Sequence, residues 1–220
     1  MKTECVTHML KTEVIGTTTH TYEVIKENTG AKGKEVVIIG LYPTIGIENV
    51  GIIDKTNLYI QNKMGQLGWS KVHVLNLFSQ IIKQKPLTKD LSSIDDTNIA
   101  YLKSALEDMP EQTDVVIAWG NSHTSNKIVN KSKVKVLTML RSLKSVNICQ
   151  IVTEKMTNDT EGTHLLFLGL RHSDENWLVE AYPVEKEIVR LTQRKEPSND
   201  GAEKTVVKKR SQKKDTVRHN

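Results

Sequence analysis

The residues best suited to chemistry stand at the ends of three apolar runs. Val36-Val37-Ile38-Ile39-Gly40 runs into Leu41-Tyr42-Pro43-Thr44-Ile45-Gly46, Val72 to Leu75 leads to Asn76, and Asp114 to Ala118 leads to Trp119-Gly120. Asn76 carries two amide donors and an acceptor on one short side chain, a combination suited to reading a nucleobase edge; the same residue type also caps strand ends locally. His123, shortly after Trp119-Gly120 and Ser122, exchanges a proton near neutral pH and could serve as acid or base, or stand as an ordinary polar residue at a helix start. The turn from Gly40 to Gly46 lacks both GxGxxG and the Lys-Ser/Thr pair of a phosphate-binding loop, so it reads equally well as a strand-ending turn fixed by Pro43. Candidate ligand contacts are therefore Gly40, Tyr42, Pro43, Thr44, Asn76, Trp119 and His123. Neither GxSxG nor a metal-ligand spacing among the remaining histidines is present, so neither a metal nor a cofactor is expected.

These positions require strands to carry them and helices to cover the strands. A short β-branched run ending in Gly reads as a buried strand, and in α/β proteins the ligand crevice lies outside the carboxyl ends of such strands. A helix capped by Thr56 runs to Leu67, with Ile60, Met64 and Leu67 on one face and Gly68 as the stop. A second strand over 72–77 completes a right-handed βαβ unit. Asp95, Asp96 and Thr97 can cap a second helix whose Ile99, Leu102, Leu106 and Met109 share a face before Pro110. The strand at 114–118, a third helix opening in Asn121 to Asn126 and a strand at 146–152 repeat this grammar. His164 to Gly169 reads as a strand or a buried helical turn, and Glu180 to Leu191 closes the domain as a terminal helix after Pro183. Residues 1–33 carry β-type segments that fit a hairpin on the sheet edge. The expected fold is an α/β, three-layer αβα sandwich with a mainly parallel central sheet, built as one domain over 1–193.

The chain has 220 residues, 37% of them hydrophobic, with a net charge of +5 and a mean hydropathy of -0.40, enough for one sizeable core. The charge is segregated. Residues 194–220 hold nine Lys/Arg and four acids, leaving 22 of each sign in the rest. That tail is too polar to offset the entropy of ordering it and is expected to be disordered. Its Lys208, Lys209, Arg210, Lys213 and Lys214 are candidates for contacts to nucleic-acid phosphates, or a merely solvated tail. Cys5 and Cys149 have no CxxC spacing, which fits a reducing cytoplasm, and neither a signal peptide nor an apolar run of about 20 residues is seen.

Taken together, Leu41-Tyr42-Pro43-Thr44, Asp54-Lys55-Thr56, Asn76-Leu77-Phe78 and Ala118-Trp119-Gly120 resemble a family of uncharacterised bacterial and phage proteins catalogued as a domain of unknown function. Its pattern runs Leu-Asn-Pro-Ser-Thr, Asp-Pro-Thr, Asn-Leu-Phe, Ala-Trp-Gly and a final His-Pro-Leu. More remotely, the layout is similar to the uracil-DNA glycosylase superfamily. That resemblance implies a glycosylase-like fold in which Gly40-Leu41-Tyr42-Pro43 stands for the water-positioning loop, Asn76 for the base-reading Asn and Trp119-Gly120 for the following strand. Tyr42 replaces the water-orienting Asn or Asp, and a phenol of pKa about 10 is a poor base near neutral pH. For the final motif, Tyr182-Pro183 matches by its Pro and His172-Ser173 by its His.

The resulting expectation is a nucleic-acid-binding protein of the cytoplasm, from a mobile element or phage, whose cleft binds DNA without the usual base excision. Two alternatives remain open. One is a nucleoside or nucleotide hydrolase, or a glycosylase with a non-standard site, drawing catalytic groups from Asp54, His123 or His172. The other is a protein-interaction module. No membrane association is expected, and the oligomeric state is left open.

Overall fold

Strands form where the chain runs apolar or alternates, and helices where apolar residues recur every three or four positions. The computed structural model describes Cys5 and residues 7–84, 86–156 and 162–193. In chain order the elements are β1 (Met9–Gly16), β2 (Thr21–Thr29), β3 (Lys34–Gly40), α1 (Lys55–Leu67), β4 (Trp69–Asn76), α2 (Asp96–Glu107), β5 (Thr113–Ile117), α3 (Lys127–Ser142), β6 (Val146–Thr153), α4 (Leu165–Arg171), β7 (Trp177–Ala181) and α5 (Val184–Gln193). The strands make one seven-stranded sheet in the order β1-β2-β4-β3-β5-β6-β7.

The sheet is mixed rather than mainly parallel, which corrects the sequence-based expectation. β4, β3, β5 and β6 are parallel, while β1 with β2, β2 with β4 and β6 with β7 pair antiparallel. The N-terminal pair could not be otherwise. Residues 17–20 between β1 and β2 are too few for the crossover that parallel strands need. At the other edge, Glu180 and Ala181 lie in β7 and the last helix starts at Val184, just past Pro183. His164 to Gly169 adopts the helical alternative, within α4 and its cap. The basic stretch 194–220, with Lys208, Lys209, Arg210, Lys213 and Lys214, lies outside the described residues.

Period-two alternation in the central strands sends side chains to two cores. Val37, Ile39, Leu75, Leu77, Val115 and Ile117 pack against Ile99, Leu102 and Leu106 of α2, with Val136 and Leu140 of α3 and Leu191 of α5. Val36, Ile38, Val72, Val74 and Val116 pack instead against Ile60 and Met64 of α1 and Leu165 and Leu168 of α4. Helices thus cover both faces. Because α1 and α2, consecutive in the chain, lie on opposite faces, the winding reverses at β3, and in open sheets of this kind ligands bind outside the carboxyl ends of the strands at such a switch point.

α1 and α4 meet through a glycine. A methyl group at Gly169 would sit 2.0 Å from the Tyr59 ring, so the contact depends on the absence of a side chain there. On the α2 side, the sheet carries a buried charge network. His73 Nδ1 donates to Glu23, His73 Nε2 donates to Glu35 at 2.7 Å, Lys71 Nζ donates to Glu35 at 2.6 Å and the Tyr101 hydroxyl donates to Glu23 at 2.6 Å. Burial alone would lower the His73 pKa, but its bonds to Glu23 and Glu35 outweigh burial and raise it, so the imidazolium is favoured. Burial pushes Glu23 upward, and the bonds from His73 and Tyr101 reverse that to leave it below the usual carboxylate value. Glu35 is lowered in the same way, by Lys71 and His73 against burial.

Two outcomes are expected. Gly169→Ala should cost about 1–3 kcal/mol by overpacking the α1–α4 contact, read as a lower urea midpoint with unchanged m. The charge network should stabilise the fold most between the ordinary carboxylate and imidazole values, roughly pH 4.5 to 6.5. The His73 contribution is complete below the unfolded imidazole pKa and fades as pH rises through its raised folded value; the Glu23 contribution is complete above the unfolded carboxylate pKa and fades as pH falls through its lowered one. A urea midpoint difference between the natural chain and His73→Gln that stayed flat across pH 4 to 9 would contradict this assignment.

Candidate functional site

At the carboxyl ends of β3 and β4 the chain encloses a cavity of about 140 Å³. Its floor is apolar, formed by Val24, Ile38, Val74, Ile60 and Ala118, and its polar wall brings together Thr44, Asp54, Asn57, Asn76 and His164, with Tyr42 and Pro43 beside them. The volume lies below the ~300 Å³ where pockets for drug-sized ligands begin, so it suits one small group.

Each polar group is held by a different element. Asn76 ends β4 with its side chain across Gly40, where an added methyl would stand 2.6 Å from Asn76 Oδ1. Its residue is only 6% exposed, and its amide makes no hydrogen bond among the described residues. Asp54 is the cap of α1, accepting from the Asn57 N–H at 2.8 Å, while the Thr44 hydroxyl donates to its other oxygen. That second bond ties the loop after β3 to the start of the helix. Burial raises the Tyr42 phenol above its ordinary value, which keeps it protonated at neutral pH.

His164, like Asn57, is a pocket residue that reading the sequence did not select. It caps α4, and its Nδ1 accepts from the Leu166 N–H at 3.1 Å. Burial lowers its pKa, partly offset by the charge of Asp54, so the ring is neutral near pH 7. A neutral ring whose Nδ1 accepts carries its proton on Nε2, which is then a donor. The signal for this residue was present. His164-Leu165-Leu166 fits the His and Leu of a His-Pro-Leu pattern with Leu in the Pro place, and Gly120, at φ 67°, lets the His164 Cβ approach to within 2.9 Å of where its own Cβ would be. Lys26 is also fully buried nearby in charge terms: burial lowers its pKa and Asp54 draws it back up, while its Nζ donates to the Thr12 hydroxyl at 3.2 Å.

Three other sequence candidates lie elsewhere. Trp119 is 1% exposed and packs in the core on the α2 and α3 side, so the Trp-Gly pair touches the pocket region through its glycine. His123, at φ 58°, borders a separate surface depression with Leu87 and Ser125. His172 ends α4 and pairs through Nδ1 with Glu175 at 3.0 Å. Among the described residues there is no group of three or more His, Cys, Asp or Glu that could hold a metal ion, and no helix long and apolar enough to cross a membrane.

The sheet, its two helical layers and this switch-point pocket define an α/β protein with one small polar-walled cavity. The chain belongs to the family described as a protein of unknown function, DUF1643, whose model matches residues 23–164 and so ends on His164. No curated protein and no solved structure matches the chain.

The electrostatic coupling inside the pocket is directly testable. Followed by NMR through its ring carbons, His164 should titrate below the ordinary imidazole value, and Asp54→Asn should lower it further by removing the charge that favours the imidazolium. A rise in the variant would contradict the arrangement.

Proposed function

We propose that the pocket binds a nucleobase-sized group presented by a nucleic-acid strand, on a glycosylase-like framework that lacks the usual base-excision machinery. The observation that carries this reading is the Asn76 side chain, on a residue only 6% exposed, without a hydrogen bond among the described residues and lining a cavity of about 140 Å³ at the carboxyl ends of the strands. An amide so placed keeps its donors and acceptor available to a ligand or to water. The parallel strands β4, β3, β5 and β6, with Gly40 before Tyr42-Pro43 and Asn76 on the next strand, agree with that framework. Tyr42, a protonated phenol, supplies no base where such enzymes hold a carboxylate or amide. The basic residues from Lys208 to Lys214 add phosphate affinity without sequence preference, and a mobile element or phage is a setting in which a DNA-binding protein of this kind would act.

A hydrolase is the second reading, favoured by one observation: Asp54 and His164 line the same cavity. Neutral His164 could donate from Nε2 to a departing base, but both Asp54 oxygens already accept hydrogen bonds, from Thr44 and the Asn57 N–H, which leaves Asp54 a weak candidate to activate water.

Fluorescence anisotropy with the full chain on single-stranded, duplex, uracil-containing and abasic oligonucleotides across a salt series separates the parts. Asn76→Ala should weaken binding about tenfold on strands that carry an accessible base, with the salt slope unchanged. Replacing Lys208, Lys209, Arg210, Lys213 and Lys214 by Gln should instead flatten the slope. Equal affinity of Asn76→Ala and the natural chain for every strand would overturn the base-binding reading. Free base released from uracil-containing strands, and abolished by His164→Ala, would establish the hydrolase instead.

A further inference from the structure

The same four-residue module starts the first two helices. Asp54-Lys55-Thr56-Asn57 opens α1 and Asp95-Asp96-Thr97-Asn98 opens α2, on opposite faces of the sheet. In both, the Asp is the cap and accepts from the Asn backbone N–H, at 2.8 Å in the first and 3.0 Å in the second. In both, the other Asp oxygen accepts a hydroxyl from the loop after a central strand, Thr44 after β3 and Ser79 after β4. Both Asn residues then occupy core-facing positions where an amphipathic helix ordinarily carries an apolar side chain, Asn57 ahead of Ile60 and Met64, and Asn98 ahead of Leu102 and Leu106.

The two modules differ in where their amides go. Both Oδ1 atoms are buried without a partner, but Asn98 Nδ2 donates to the backbone carbonyl of Asn76 at 2.7 Å, so its side chain fixes the end of β4. Asn57, 5% exposed, makes no side-chain hydrogen bond among the described residues, and it lines the cavity rather than meeting a strand end. A buried primary amide at a helix core position, bonded to nothing in the protein and facing a cavity beside a second unpaired amide, is explained by a ligand.

We propose that Asn57 is a second ligand-reading residue of this pocket, opposing its amide to a neutral planar heterocycle that Asn76 engages through another edge. This rests on the reading of the pocket as a nucleobase site and adds to it a stated chemistry. A primary amide is both donor and acceptor, so two of them match a ring bearing adjacent donor and acceptor atoms on two edges, as nucleobases do, and not an anion or an aliphatic group. Asn98 is by contrast a positioning residue, acting on the site through the Asn76 backbone.

Side-chain amide NMR on the full ¹⁵N-labelled chain tests this without requiring any variant to fold. Uridine, cytidine, adenosine and guanosine are titrated separately, with an abasic oligonucleotide as the control that offers sugar and phosphate alone. The expected result is that at least one nucleoside shifts the Asn57 and Asn76 side-chain resonances together, with one dissociation constant, and that the abasic strand shifts neither. Asn57→Leu, which restores an apolar residue to the helix face, should weaken that nucleoside about tenfold while its thermal midpoint does not fall. Shifts at Asn76 alone, with Asn57→Leu binding as the natural chain does, would overturn the role of Asn57 and leave the base pocket standing. Absence of a shift at either amide with all four nucleosides would overturn both.

Discussion

The hydrogen bond from Asn98 Nδ2 to the Asn76 carbonyl, 2.7 Å long and buried, is the constraint on which the site depends. Asn76 is the last residue of β4, paired with Gly40 of β3, and Leu77 just beyond it still donates its N–H to the Gly40 carbonyl at 2.9 Å, while the Asn76 carbonyl is taken by a side chain from the helix. By spanning from the first turn of α2 to that carbonyl, Asn98 fixes the backbone from which the Asn76 side chain projects to the opposite face. Asp95 anchors the same helix start to the next loop residue, Ser79, through both the Ser79 hydroxyl and its N–H, at 2.6 and 2.9 Å. The pocket on one side of the sheet is therefore set by helix-capping chemistry on the other.

Around this constraint the two faces of the sheet take different tasks. The α2 face carries most of the hydrophobic core and the Glu23-His73-Glu35 network, in which every ionised group has an opposite partner. The α1 face carries a smaller core interrupted by the cavity, where the buried Asn57 Oδ1 has no hydrogen-bond partner. Polar groups that are satisfied help to specify a structure, whereas an unpaired one beside a cavity leaves hydrogen-bonding capacity open.

Much of this was legible in the chain. The Gly-terminated runs at Gly40 and Gly120, the caps at Asp95 and Asn126 and the stop at Gly68 each have a local cause, and local causes are visible in sequence. Gly40, Tyr42, Pro43, Thr44, Asp54 and Asn76 meet in one cavity because they flank strand ends that the period of the pattern already marks. What escaped depended on distant neighbours. Direction in the sheet follows from which edge β2 and β7 join, and β7 is five residues whose burial pattern leaves four of them exposed, so no alternation announced it. Trp119 turned away from the site because its neighbour Ala118 faces the cavity, a matter of one residue in strand register. His164 was overlooked because its value lies in the turn that presents it, with Gly120 yielding space from a separate part of the chain.

The mixed sheet also sets an order of events for the nascent chain. β1 and β2 close on each other through a short turn, so their hairpin can form from adjacent residues as soon as both have been made. The parallel centre has no such shortcut: Val36 pairs with Asp114, and that register exists only after α1, β4 and α2 have been synthesised between them. Among the strand pairs of the sheet, β3 with β5 therefore closes the longest loop and carries the largest closure entropy. The cavity floor contains residues from β2, β3 and β4 together with Ala118 just past β5, so the cavity is complete only once that long-range pairing has been made.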